Sequence, residues 1–357
     1  MMRSAHILLL TPGFPAGESD DGCIPALQEY VRAFSAAHPE ARLTVVALQY
    51  PFTSAPYRWN TIDVHPLGGS NSVLAKPLLW YRAVRQAESI HAIHPVSVIH
   101  SFWLGECAMA GAFIANRTGT PHVCTLMGQE MRKQNRYAAL LRNGPTRFFA
   151  LTPFQDRDLE GRTGRHADGI IPWGVAAGTD ADPGPGARDI DLLGAGSFGP
   201  LKNFGLFLST AAAAAKKRPA LRCVIAGDGP DRARIESLIG EYGLEKNVTL
   251  TGMIPRHEVL ALMQRSKILL HPSLYEGFGY VFAEALACGM EIVSFEVGAA
   301  RPHPRWHVAA SAAEFPGLVE RALDSAAGHP PLILFPIRAT VDAYAAVYGL
   351  ADAGEGR

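Results

Sequence analysis

The sequence predicts an α/β fold in two domains, and three observations predict it. Short apolar runs alternate with helical stretches along most of the chain, the pattern of parallel strands joined by crossover helices. Some of those runs, 268–270 above all, are apolar at every position and stop at once in Pro or Ser, as strands buried on both faces do. The chain has 357 residues, enough for two cores, and a tract rich in Gly, Pro and Asp over 176–188 separates two such series.

The first domain, 1–175, opens with strand 7–10 and the loop TPGFPAGESDDGCIP. Helix 26–37 follows, with Leu27, Tyr30, Val31 and Phe34 on one side. Strand 43–48, an aromatic loop over 50–57, helix 78–93 and strand 96–100 continue the alternation. His100, Ser101 and Trp103 fall just past that strand's carboxyl end, where open parallel sheets keep their ligand crevice. Contact with an acceptor is one reading of His100; the other is that it satisfies local backbone groups. Helix 105–117, strand 122–126, strand 148–152, helix 153–160 and strand 170–175 complete the domain.

The second domain, 189–335, alternates in the same way: helix 204–217, strand 222–226, helix 231–242, strand 248–250, helix 257–266, strand 268–270, helix 280–287 and strand 292–295. The alanine run 211–215 is ordinary helix. A last segment, 336–357, holds helix 341–348 and a tail, with Tyr344 and Tyr348 read as packing residues.

Composition narrows the function. Lys and Arg number 33 against 33 Asp and Glu, so net charge offers no case for nucleic acid binding. The five cysteines are scattered without metal-ligand spacing, which predicts reduced thiols, no zinc site and a cytoplasmic setting. The apolar run 7–10 is too short for a signal core or a membrane span.

The chemistry concentrates in HPSLYEGFGYVFAEALACG, from His271 to Gly289. A buried strand there meets a turn carrying Gly277 and Gly279, and glycine lets backbone amides approach an anion where a helix begins. Glu276 and Glu284 stand eight positions apart in this turn and helix. Carboxylates repel phosphate and accept hydrogen bonds from hydroxyls, which points to a sugar. The competing reading leaves Glu276 solvated and Glu284 paired on a surface helix.

Glu276 and Glu284, set in EGFG and EALACG, resemble the E-x7-E signature of family 4 glycosyltransferases of the GT-B fold. The resemblance implies two doubly wound Rossmann-like domains facing a central cleft, and a final helix that crosses back onto the first domain. It implies that Glu276 contacts donor-sugar hydroxyls, that Glu284 contacts the nucleotide ribose, and that amides of Gly277, Phe278 and Gly279 face the diphosphate and sugar. GSFGPLKN is similar to the family's G-R-L-x-x-x-K-G, which puts Lys202 beside the diphosphate and Ser197 where arginine is usual. Backbone near Met253 and Ile254 is the family's place for the base, and Gly22 matches a loop that approaches the phosphates; alternatively Gly22 only permits a turn. The segment MGQEMRKQNRY follows the outline of T-x-H-G-x-D, with Met127 in place of histidine and Gln129 and Glu130 as nearby candidates on the acceptor side. Arg132 and Lys133 meet an anionic acceptor or simply lie in water.

The implied activity is metal-independent, retaining sugar transfer from a UDP- or GDP-linked donor, which is a substrate, so no cofactor is expected. The implied partners are a glycan or lipid-linked acceptor, in polysaccharide or glycolipid synthesis, with peripheral contact at the inner membrane face. Three alternatives stand. A catalytically degenerate sugar-nucleotide binding subunit would account for Ser197 and Met127. A nicotinamide or flavin oxidoreductase rests on G-x-G-x-x-G at Gly194, Gly196 and Gly199, but Pro200 to Asn203 intervene before the helix and Asp228 stands too far on. A sugar-nucleotide epimerase of similar architecture fits less well, because the E-x7-E turn resembles transferases more closely.

Overall fold

The computed structural model describes residues 5–69, 71, 76–128, 130, 135–176, 188–325 and 329–350. The chain divides into two compact units: Met1–Gly174 together with Ile337–Arg357, and Val175–Pro336.

The first unit runs β1 (His6–Gly13), α1 (Pro25–Ala37), β2 (Arg42–Tyr50), β3 (Tyr57–Trp59), β4 (Ile62–Pro66), α2 (Lys76–Ile93), β5 (Val98–Phe102), α3 (Glu106–Thr118), β6 (His122–Thr125), α4 (Arg136–Leu141), β7 (Arg147–Ala150), α5 (Pro153–Thr163) and β8 (Gly169–Ile170). Among the described residues its sheet has the order β3-β4-β2-β1-β5-β6-β7-β8. Neighbours are parallel except the hairpin β3–β4. β1 lies at the reversal of strand order, between β2 and β5, so seven of its eight residues are buried. That is why it reads as an unbroken apolar run. The apolar stripe of α1 is buried as its spacing predicts, and Pro25 supplies a fixed φ at the helix start.

Two expectations need correction here. The hairpin β3–β4 lies beyond the predicted aromatic loop; its turn uses Asn60 at φ 50°, a residue that tolerates the left-handed region. The strand expected over 170–175 stops at Ile170, because Pro172 has no amide to continue the ladder. Val175 makes a single bridge to Pro336, inside the second unit.

The second unit runs β9 (Ile190–Ala195), α6 (Phe204–Ala215), β10 (Cys223–Ala226), α7 (Arg232–Glu241), β11 (Val248–Gly252), α8 (Arg256–Arg265), β12 (Ser266–His271), α9 (Tyr280–Ala287), β13 (Glu291–Phe295), β14 (Trp306–Ala309) and α10 (Phe315–Ser325). Its sheet is parallel, in the order β11-β10-β9-β12-β13-β14. Consecutive residues feed opposite layers: Leu192, Ile268 and Leu270 pack with α6, α7 and α10, whereas Leu193 and Leu269 pack with α8 and α9. Burial on both faces accounts for LLG and ILL in the sequence. Strand order reverses at β9, between β10 and β12, and the loops after β9 and β12 therefore border the switch-point crevice.

The last helix, α11 (Ile337–Val347), packs on α1 of the first unit. A buried chain of hydrogen bonds holds it. Tyr30 and Tyr348 hydroxyls meet at 2.8 Å, Tyr348 reaches His100 Nδ1 at 2.5 Å, His100 Nε2 reaches Thr125 Oγ1 at 2.7 Å, and Thr125 meets the Tyr344 hydroxyl at 2.6 Å. His100 is fully buried, so the expectation of an acceptor-facing His100 is corrected. Its ring bonds Thr125 of the neighbouring strand β6 and Tyr348 just past α11, not local backbone. A neutral imidazole with its proton on Nε2 completes this chain, because Nδ1 then accepts from Tyr348.

Burial, and after it the His122 charge, hold His100 well below its ordinary pKa, and burial takes His122 down to about 3. Both rings are disfavoured as cations in the folded state, while the unfolded chain takes up protons near pH 6.5. Their contribution to stability is complete above that value and is lost as pH falls from it toward the folded pKa. We expect the urea-unfolding free energy to fall between about pH 6.5 and about pH 5 by roughly 1 kcal/mol per pH unit per buried histidine. Glu276 and Asp189, held at about 2, do not weaken the fold until pH falls below ~4. His122→Gln should flatten the slope, and a wild-type profile level across that window contradicts the assignment.

A second expectation concerns Gly279, which precedes α9 at φ 79°. A Cβ there would lie 2.5 Å from the Phe282 ring. Gly279→Ala should cost about 2 kcal/mol or more, from left-handed backbone and ring overlap together. A loss under about 0.5 kcal/mol in the same urea assay would mean that the turn moves aside.

Candidate functional site

The crevice of the second unit is built from two turns that hydrogen bonds stitch together. After β9, Gly196 takes φ 140°, and a Cβ at that position would come within 3.0 Å of Lys202 Cε. The chain then makes a 3-10 turn over Pro200–Lys202 before α6 begins, so the three glycines do not open the helix directly. After β12, Leu274 N–H donates to Leu201 O at 2.8 Å, and the Ser273 hydroxyl donates to the same carbonyl at 3.2 Å.

Glu276 fastens the turns through charge. Its Oε1 accepts from Lys202 Nζ at 2.5 Å and from His271 Nε2 at 2.8 Å. Burial alone would raise this carboxyl; the His271 hydrogen bond and the Lys202 charge overcome it and hold it at about 2. Oε2 has no protein partner among the described residues. His271, buried at the end of β12, has its own pKa lowered by burial, and it donates to Glu276 as a neutral ring. Lys202 keeps two further N–H donors beyond the one given to Glu276. The result is one ionised oxygen and one ammonium, side by side at the crevice, each with capacity for a ligand.

The amides of the EGFG turn are held close behind. Gly277 and Phe278 are buried, and the Phe278 ring packs edge-on against Phe335 with centroids 5.1 Å apart. Only the backbone of Phe278 is left to serve a ligand. Phe278 O accepts from Ala299 N–H at 2.9 Å, and Gly298 passes so near that a Cβ on it would lie 2.9 Å from Glu276 Cβ.

Glu284 lies one turn into α9, four residues beyond Tyr280. Arg256 Nε, from the first residue of α8, donates to Glu284 Oε1 at 2.8 Å, and less than a fifth of either side chain is exposed. The Arg256 guanidinium also lies 5.9 Å from the Tyr280 ring centroid. Sequence reasoning missed Arg256 and His271. His271 stands five residues before Glu276 at a strand end, a spacing that signals reach; Arg256 is joined to Glu284 only by the packing of α8 on α9.

The remaining predicted residues scatter. Ser197 is exposed at the turn after β9, Met253 is 76% exposed and Ile254 half-buried just past β11. In the first unit Gly22 is exposed, with open space where a Cβ would go, so its place in the loop does not require glycine. Asp20, beside it, is fixed by Ala16 N–H and the Tyr50 hydroxyl. Trp103, half-buried after β5, takes φ 71°, and its N–H donates to Thr125 O at 3.0 Å. Glu130 accepts from the amides of Met127 and Gly128, so it closes its own loop and is not presented to an acceptor; burial raises its carboxyl against the pull of those amides. Gln129, Arg132 and Lys133 lie outside the described residues. Among the described residues no cluster of His, Cys, Asp or Glu has metal-binding geometry, and no helix is long and apolar enough to cross a membrane.

Residues 181–302 match the glycosyl transferases group 1 family. The gpi3 subunit of phosphatidylinositol N-acetylglucosaminyltransferase from Schizosaccharomyces pombe is 37% identical over 97 residues, 27% of this chain and 21% of that one. The 2-deoxystreptamine glucosyltransferase of Streptomyces kanamyceticus is 36% identical over 75 residues, 21% of this chain and 19% of that one. The chain thus spans about a fifth of the length of these relatives. Solved structures agree over far more of it. Sucrose-phosphate synthase from Thermosynechococcus elongatus superposes with a TM-score of 0.75 over 97% of this chain and 98% of that one, at 19% identity. Anabaena HepE in complex with UDP and glucose gives 0.70 over 96% and 99%, at 16% identity. The chain therefore has the GT-B fold, and within it residues 181–302 are similar to the glycosyl transferases group 1 family.

Proposed function

We propose that this protein transfers a sugar from a UDP- or GDP-linked donor to a glycan or lipid-linked acceptor, with retention of anomeric configuration and without a metal cofactor. One observation carries the reading: a carboxylate held ionised at the switch-point crevice, with Oε2 open and an ammonium beside it. Glu276 accepts hydrogen bonds from donor-sugar hydroxyls. Lys202 and the amides of residues 277–279 meet the diphosphate and offset the charge that grows on it as the anomeric C–O bond breaks. Glu284 accepts from the ribose, and backbone near Met253 and Ile254 borders the base. The acceptor hydroxyl attacks on the face that the diphosphate leaves and gives its proton to the departing phosphate oxygen, so no protein general base is required. The UDP and glucose in the HepE complex support the donor class. This reading puts the protein in the cytoplasm, at the inner membrane face where the acceptor is lipid-linked.

A second reading, a sugar-nucleotide binding subunit without transfer, is favoured by Met127 and by the self-closed Glu130 loop. Thermal unfolding with UDP, GDP, ADP and NAD at matched concentration tests the donor site, because a ligand that binds the native state raises the melting temperature. We expect UDP or GDP to raise it and NAD to leave it unchanged; stabilisation by NAD alone would sink the proposal. With the donor identified, Glu276→Gln and Lys202→Ala should each lower transfer at least ~100-fold, and chelation should not. Wild-type binding without transfer or donor hydrolysis would favour the second reading.

A further inference from the structure

We propose that Arg256 is a positioning residue for the nucleotide, acting through Glu284: its Nε–H fixes the carboxylate that receives the ribose hydroxyls of a nucleoside diphosphate. The inference rests on the reading of Glu284 as the ribose ligand.

The pair is built differently from an ordinary surface ion pair. It joins the first residue of α8 to α9 across 28 positions, at 2.8 Å, with both side chains less than a fifth exposed. A cation in the first turn of a helix opposes the helix dipole, so α8 gains nothing from an arginine at this place. Pro255 fixes the backbone just before it, and the Tyr280 ring flanks the guanidinium one turn ahead of Glu284. The side chain therefore places its Nε–H on the Glu284 carboxylate with its guanidinium beside the Tyr280 ring. A carboxylate offers about four acceptor positions, and the bond from Arg256 at Oε1 constrains the plane in which they lie. Vicinal ribose hydroxyls need that plane fixed, because two hydrogen bonds to one carboxylate form together only in a narrow range of orientations.

The test is calorimetric titration of the full chain with whichever of UDP or GDP it binds, and with the 2′,3′-dideoxy form of the same nucleotide. Arg256→Ala should weaken the ribonucleotide about tenfold and the dideoxy form less than about twofold, with no added loss on top of Glu284→Ala. Equal losses for the two nucleotides, a full loss in the Glu284→Ala background, or unchanged affinity overturns the proposal. An equal loss would place Arg256 on the phosphates or in the fold. If the alanine variant does not fold, Arg256→Lys supplies the same comparison, since it keeps the charge and removes the planar donor. Unchanged affinity in Glu284→Ala alone removes the ribose reading beneath the proposal, which separates that failure from one of Arg256.

Discussion

The buried bond network at Glu276 is the constraint on which the second unit's site depends. A carboxylate this enclosed is unfavourable as an anion unless cations and donors repay its lost hydration. Lys202 and His271 do so from opposite sides, one from the turn after β9 and the other from the end of β12. That requirement brings the two loops together at the point where strand order reverses. The backbone follows: Gly196 must pass behind the Lys202 stem, Gly298 must pass beside Glu276, and Leu274 must bond to Leu201. Each glycine sits where a side chain would push the charged groups apart.

The first unit solves a different problem at the equivalent edge of its sheet. There the carboxyl ends of β5 and β6 carry His100 and Thr125, polar groups that would be costly if buried unpaired. α11 supplies the hydroxyl of Tyr344, Tyr348 just past its end supplies another, and α1 adds Tyr30. A histidine in a crevice position has thus become part of the core. Trp103, half-buried just after β5, takes a left-handed backbone conformation that a large side chain seldom adopts.

Much of the fold was legible because burial writes itself into sequence. Strands covered on both faces become continuous apolar runs, and α9, from Tyr280 to Ala287, could be bounded to the residue by EGFG before it and the Cys-Gly stop after it. β14 and α10 escaped because GAARPHPRWH resembles no familiar pattern, although Trp306 and Phe315 anchor the two elements in the core. In the site, Glu276, Glu284 and Lys202 stood out through their resemblance to family motifs. Their partners did not: Arg256 reaches Glu284 only through helix packing, and His100 looks the same in a sequence whether it faces a ligand or a tyrosine 248 residues away. Hydrogen-bond partners at long range are a property of the folded chain, and a local motif cannot carry them.

The charges at the crevice are arranged in pairs. Glu276 neutralises Lys202 and Glu284 neutralises Arg256, so neither cation is left as an isolated charge. Unpaired, they would repel one another and lower stability; paired, they contribute no strong field at a distance. On the proposed reading, a diphosphate at the EGFG turn would leave these pairs intact, because an ammonium with three donors can hold a carboxylate and a phosphate at once. The carboxylates would then stay fixed as acceptors for hydroxyls while the cations gained a second anion. On the proposed reading, affinity for a nucleotide comes from bonds added to a preformed network, and the oxygens that would meet the sugar are placed in advance.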